Sequence, residues 1–129
     1  MDWDGFSGLP PAPPFTPLPN IVLDLIMPAL GEAELRVLLF LCRQIYGWHR
    51  TTQHVSLSQM VTGIQRVDGT WMNQGTGLTR RSVIRAVQAL EQKGLILVER
   101  DESLHRDKQV NRYRLRVQGG DAPTLPLVP

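Results

Sequence analysis

The sequence predicts a mainly α-helical domain that carries a small β-hairpin, a winged helix-turn-helix. Three observations predict it. Residues 80–93 place Val83, Ala86, Val87 and Leu90 on one side of a helix, between a capping Thr79 and a closing Gly94. Residues 95–98 and 111–117 then read as two strands joined by a basic turn. Upstream, residues 31–47 and 57–62 read as two further helices on which the first can pack.

Each element has a local reason. Asn20 is placed to cap a short helix, Ile21 to Met27, which Pro28 should stop. Gly31 opens a longer helix with Glu32 and Glu34 in its first turn, where the helix dipole favours negative charge, and Gly47 ends it. Leu35, Leu38, Leu39, Cys42, Ile45 and Tyr46 form one stripe, while Val37, Phe40 and Leu41 lie opposite, so this helix should be covered on both sides. The first short helix is one cover for the second face; a dimer contact is the other.

Trp48 to Val55 reads as a turn with a short strand, and Ser56-Leu-Ser-Gln59 as a capping box that starts a helix running to about Thr62. Its inner face would be Leu57, Met60 and Val61. A helix-turn-helix needs only a 3–4-residue turn next. Here Gln65 to Gly77 intervenes, with a small hairpin expected to turn at Asp68-Gly69. In this loop Arg66, Trp71 and Asn73 are ambiguous, Trp71 having the option of covering the core. In the last strand Tyr113, Leu115 and Val117 alternate with Arg112, Arg114 and Arg116. Asp101 to Gln109, with His105, Arg106 and Lys108, forms the wing tip.

Outside this unit the composition changes. Residues 1–19 are rich in Pro and Gly and read as an extended arm, in which Trp3 and Phe6 are either incidental or a short docking motif. Residues 20–117 form the domain, and residues 118–129 a tail or linker. With 129 residues the chain is long enough for one modest core. Cys42 is the single cysteine, so no internal disulfide forms, which suits a reducing compartment. No signal peptide and no apolar run long enough to span a bilayer is evident, and the expectation is a cytoplasmic protein that does not enter a membrane.

The formal net charge is only +2, but it is unevenly placed. Residues 1–34 hold five acids and no Lys or Arg, whereas residues 35–129 hold all fourteen bases against seven acids, a net +7. Such polarity favours an anionic partner for the C-terminal part. On the helix 80–93, Arg81, Arg85, Gln88 and Gln92 lie opposite the apolar side. Arg80 and Arg81 oppose the helix dipole, so local stability does not explain them and a phosphate would. Thr79 is first a cap; with Ser82 it also presents the first turn to a phosphate. Arg85 suits guanine and Gln88 suits adenine, which makes these two the expected base readers. Arg106, Lys108 and Arg112 are expected to grip the duplex backbone from the wing. A solvated strand face is the expectation for Arg114 and Arg116.

Catalytic and ligand-binding alternatives find little support. Gly75-Thr-Gly77 lacks the lysine of a phosphate loop. His49 and His54 have no third and fourth ligand nearby, so neither metal nor cofactor is expected. No triad or carboxylate pair stands at a recognisable spacing, and no enzyme activity is expected.

Several segments together resemble the N-terminal domain of phage replication protein O: Thr16-Pro-Leu-Pro-Asn20, Ile45-Tyr-Gly-Trp48, Val55-Ser-Leu-Ser-Gln59, Gly75-Thr-Gly-Leu-Thr-Arg-Arg-Ser-Val83 and Ala89-Leu-Glu-Gln-Lys-Gly-Leu95. The resemblance covers Thr16 to Val117. It implies an origin-binding winged helix that starts phage or prophage replication on double-stranded DNA. In that family a further C-terminal region recruits the replicative helicase. The sequence as given ends at Pro129 without such a region, so loading by a helicase or helicase loader is expected only where a separate protein or a longer parent chain supplies it. Two other readings share the fold, a transcriptional regulator and a protein-interaction adaptor. A homodimer is compatible with all three.

Overall fold

The computed structural model describes residues 3–101 and 110–117. The expected wing tip with His105, Arg106 and Lys108, and the tail 118–129, lie outside the described residues.

The chain enters the domain through Leu18, which packs on the core. A short π-helical turn, Val22–Ile26, then runs straight into a 3-10 turn, Met27–Ala29. Two expectations fail here. Pro28 does not stop the helix, because it occupies an early position of the second turn, where a missing N–H costs no internal bond. No side chain caps the first turn either; Val22 N already bonds to Pro19 O at 3.0 Å, so the turn starts before Asn20.

Helix α1 (Glu32–Ile45) begins at Gly31 as expected. It buries Val37, Leu38, Phe40, Leu41, Cys42, Gln44 and Ile45, so it is covered on two sides. Leu35 and Leu39 are the exceptions to the predicted stripe, half-buried and exposed. The left-handed residue after α1 is His49, at φ 54°, and not Gly47. A tight turn, Tyr46–Trp48, delays the exit by three residues. The nearest atom that a Cβ on Gly47 would meet is the tip of the Arg43 side chain, at 2.5 Å, which can swing aside, so this contact does not demand a glycine.

Strand β1 (Thr52–Ser56) leads directly into α2 (Leu57–Thr62). The capping box is complete, with Ser56 Oγ accepting from Gln59 N at 3.1 Å and Gln59 Oε1 accepting from Ser56 N at 2.9 Å. Helix α3 (Arg80–Gln92) follows the insertion. Strands β2 (Ile96–Glu99) and β3 (Val110–Leu115) close the domain. The sheet is antiparallel in the order β1-β3-β2, with Val55 opposite Asn111 and Val98 opposite Tyr113. The expected hairpin is therefore the C-terminal part of a three-stranded sheet. Tyr113 and Leu115 point into the core as the alternation predicted, while Val117 lies past the strand end and is half-buried.

The insertion is an ordered element. Its hairpin turns at Asp68-Gly69, held by Arg66 N to Thr70 O at 2.7 Å and Met72 N to Ile64 O at 2.7 Å. Asp68 Oδ1 accepts from Thr70 N and Oγ1 at 2.9 and 2.6 Å, which holds its carboxyl below the ordinary range. Where the hairpin rejoins α2 the backbones almost touch: a Cβ on Gly63 would lie 2.2 Å from Asn73 O, and one on Gly75 2.8 Å from Val61 O. Both glycines also have positive φ, so two independent reasons keep a side chain out. Thr76 then ties back to Met60 O through N and Oγ1, both at 2.8 Å. These bonds return the chain to the end of α2, so α2 and α3 still pack as consecutive helices despite the excursion.

Leu41, Ile45, Met60, Val83, Leu90 and Ile96 are fully buried and join all three helices and the sheet in one core. Burial of these side chains supplies the driving force for assembly. Helix, strand, helix, helix and then two strands, with this sheet order, is the architecture of a winged helix.

Candidate nucleic-acid interface

The candidate surface is the outer face of α3, and its orientation is set by the inner one. Val83, Ala86, Val87 and Leu90 are buried, which forces Arg81, Ile84, Arg85, Gln88 and Gln92 outward; all five are exposed. Thr79 Oγ1 accepts from Ser82 N at 3.2 Å and donates to Ser82 Oγ at 3.0 Å. The hydroxyls of Thr79 and Ser82 thus lie side by side at the open N-terminus of the helix, with exposed Arg80 and Arg81 next in the chain. At the other end Lys93 caps and Gly94, at φ 77°, takes the left-handed position, as predicted.

Ion pairs separate the cations of this region into two groups. Lys93 pairs with Glu34 of α1, which fixes the end of α3 to the start of α1. Arg100, just after β2, reaches back to Glu91 with two bonds, at 2.7 and 3.0 Å. That clasp ties the root of the hairpin to the last turn of α3. The Arg100 guanidinium holds the Glu91 carboxyl below the ordinary range, and Arg112 does the same to Glu99. Arg81 and Arg85 take part in none of the ion pairs among the described residues. Their charge faces solvent.

Arg112, expected to hold phosphates from the wing, is the cross-strand partner of Glu99 and ion-paired with it. Its charge is partly neutralised inside the hairpin, because the β2–β3 register sets a carboxylate directly opposite. Of the other predicted residues, Arg81, Arg85 and Gln88 share the outward face of α3, whereas Thr79, Arg80 and Ser82 lie at its N-terminal end. Arg106 and Lys108 lie outside the described residues. Trp71 is 51% exposed and does not cover the core. Among the described residues no three His, Cys, Asp or Glu gather as metal ligands, and no helix is long and apolar enough to cross a membrane.

Two features escaped the sequence. Ile84 is 42% exposed within the cationic stripe, although its apolar character suggests burial; its position between Val83 and Arg85 was the available signal. The Glu91–Arg100 clasp had none, since it joins a helix end to a residue beyond a strand.

A winged helix whose third helix turns an arginine- and glutamine-bearing face to solvent defines the class of this protein. The family described as Bacteriophage replication protein O matches residues 14–113. The chain belongs to that family, which ties it to phage DNA replication. No curated protein and no solved structure matches it.

Proposed function

We propose that the protein is a sequence-specific double-stranded DNA-binding protein that acts in the cytoplasm to initiate replication of a phage or mobile element. The observation that carries this reading is the exposed Arg81 and Arg85, in no ion pair among the described residues, beside Gln88 on a helix whose opposite side is buried. A helix of this kind fits the major groove, where Arg reads guanine and Gln reads adenine in bidentate geometry. Ile84 adds an apolar contact for a thymine methyl. The hydroxyls of Thr79 and Ser82, the free N–H groups of the first turn, Arg80 and Arg81 take the phosphates that flank the groove. Arg106 and Lys108 extend the grip from the wing, and Arg112 contributes there to the extent that Glu99 releases it. The protein binds rather than catalyses. Its partners are the duplex, a second copy on a repeated site, and a replicative helicase or helicase loader.

Selection of bound duplexes from a random pool tests the reading. The expected result is one enriched motif, bound with an affinity that falls steeply as salt rises. A palindromic motif means a two-fold dimer; direct repeats mean tandem loading. A pool that shows no enrichment after selection overturns sequence-specific recognition, and no retardation of any duplex leaves an interaction adaptor as the function.

A further inference from the structure

A second cationic surface lies on α1, and it shares no residue with the outer face of α3. Arg36, Leu39 and Arg43 follow one another at helical spacing and are all exposed. Together with the rim of the buried Phe40 they form one wall of a groove of about 350 Å³ whose other wall is Asn73, Gly75 and Thr76 of the insertion. Arg36 Nη1 spans the walls to Thr76 O at 3.4 Å. Just past the end of α1 stands Trp48, 43% exposed. The Arg43 guanidinium lies 5.3 Å from its ring centroid and that of Arg50 lies 6.0 Å away. Groove and tryptophan are continuous, because Arg43 belongs to both.

This arrangement concentrates positive charge around one exposed ring. Arg43 and Arg50 are like charges directed at one ring, and neither they nor Arg36 forms an ion pair among the described residues. A cation–π contact at an exposed site contributes only about 0.5–1 kcal/mol; Arg50 is held also by a hydrogen bond from its Nη1 to Gln53 Oε1 at 2.5 Å, whereas Arg43 has the ring alone among the described residues. The exposed indole is not explained by the core, which it does not join. Cationic groups along a groove and an aromatic plane at its end are the two components of surfaces that hold unpaired nucleotides, the cations on phosphates and the ring under a base.

We propose that Arg36, Arg43, Trp48 and Arg50 form a binding surface for single-stranded DNA. A base stacks on Trp48, with one of the two guanidiniums swinging from the ring to the adjacent phosphate. The sugar–phosphate chain continues along the groove past Arg43 and Arg36. Little sequence preference is expected, since every base offers a stacking face. The surface would let one domain hold a duplex by α3 and an opened strand by α1.

The test uses the whole chain and a labelled oligothymidylate of about sixteen nucleotides, long enough for a groove of this kind, followed by fluorescence anisotropy at low salt. The wild-type protein is expected to bind it. Trp48→Ala should weaken that binding roughly five- to a hundredfold, the range of one lost stacking contact, Arg43→Ala should weaken it as well, and Trp48→Phe should retain most of it. Circular dichroism melting confirms that each variant is folded; the exposed position and the Phe variant guard against misfolding as the cause. Duplex carrying the selected motif should be bound by Trp48→Ala as by wild type. Failure of the wild type to bind oligothymidylate, or equal binding by Trp48→Ala, overturns the proposal. An equal loss on duplex and oligothymidylate also overturns it, because the surface is then a duplex contact. Failure of the α3 reading gives a different pattern, in which Arg85→Ala leaves duplex binding unchanged.

Discussion

The arginines of α3 and those of the hairpin differ in what holds them. Arg100 and Arg112 are each bound to a glutamate, Glu91 and Glu99, and set the hairpin against the helix and its two strands against each other. Arg81 and Arg85 take part in no ion pair among the described residues and stand on the solvent side of a helix whose other side is immobilised by burial. A cation neutralised within the fold acts on geometry, whereas one left without a carboxylate acts on whatever approaches. Counting basic residues along the chain does not separate the two roles.

The contrast breaks most visibly on the buried side of α3. Leu90→Ala should cost about 2–5 kcal/mol of stability, from lost burial and the cavity left behind, measured by urea unfolding. A loss under half a kilocalorie would mean that α3 is not held rigidly enough for its outer face to read a sequence. Arg85→Ala should leave the melting temperature nearly unchanged and lower discrimination at one base position by about 1–3 kcal/mol. Competition binding against duplexes altered one base pair at a time checks this; an equal loss on every sequence would assign Arg85 to the phosphates.

Smaller effects sharpen the comparison. Thr79→Ala removes the cap and should cost about 1 kcal/mol of stability, and it should weaken duplex binding on all sequences alike. A binding loss with no stability loss would give Thr79 to DNA alone. Glu91→Gln weakens the clasp to Arg100. Both side chains are partly exposed, so stability should fall by no more than about 1 kcal/mol. Its pH signature follows from the lowered Glu91 pKa. The contribution is present above the ordinary glutamate pKa and is lost as the pH falls through the lower folded value. Wild type and Glu91→Gln should therefore differ in melting temperature at neutral pH and converge only in acid below the ordinary glutamate range. Convergence already near pH 6 would show that the clasp does not form in solution.

Much of the site was legible in the sequence because α3 follows from local rules. Thr79, the spacing of Val83, Val87 and Leu90, and Gly94 determine where the helix starts, which way it faces and where it stops. The same holds for the capping box at Ser56 and for the turn at Asp68-Gly69, whose bonding partners lie within a few residues. Local rules did less well at Pro28 and Gly47. There the chain had a second permitted conformation, a fresh turn beginning at Met27 and an extra turn after Ile45, and packing chose it.

Only the tertiary structure decided which charges are spent. Glu91 meets Arg100, Glu34 meets Lys93 and Glu99 meets Arg112 across elements or strands whose register is a property of the assembled core. It also decided that Arg36, Arg43, Trp48 and Arg50 share one surface, since two of them lie on α1 and two beyond its end. Backbone propensity and side-chain period act over a few residues and can be read in one dimension. Electrostatic pairing and shared surfaces depend on distances through space, which exist only once the apolar faces have closed on one another.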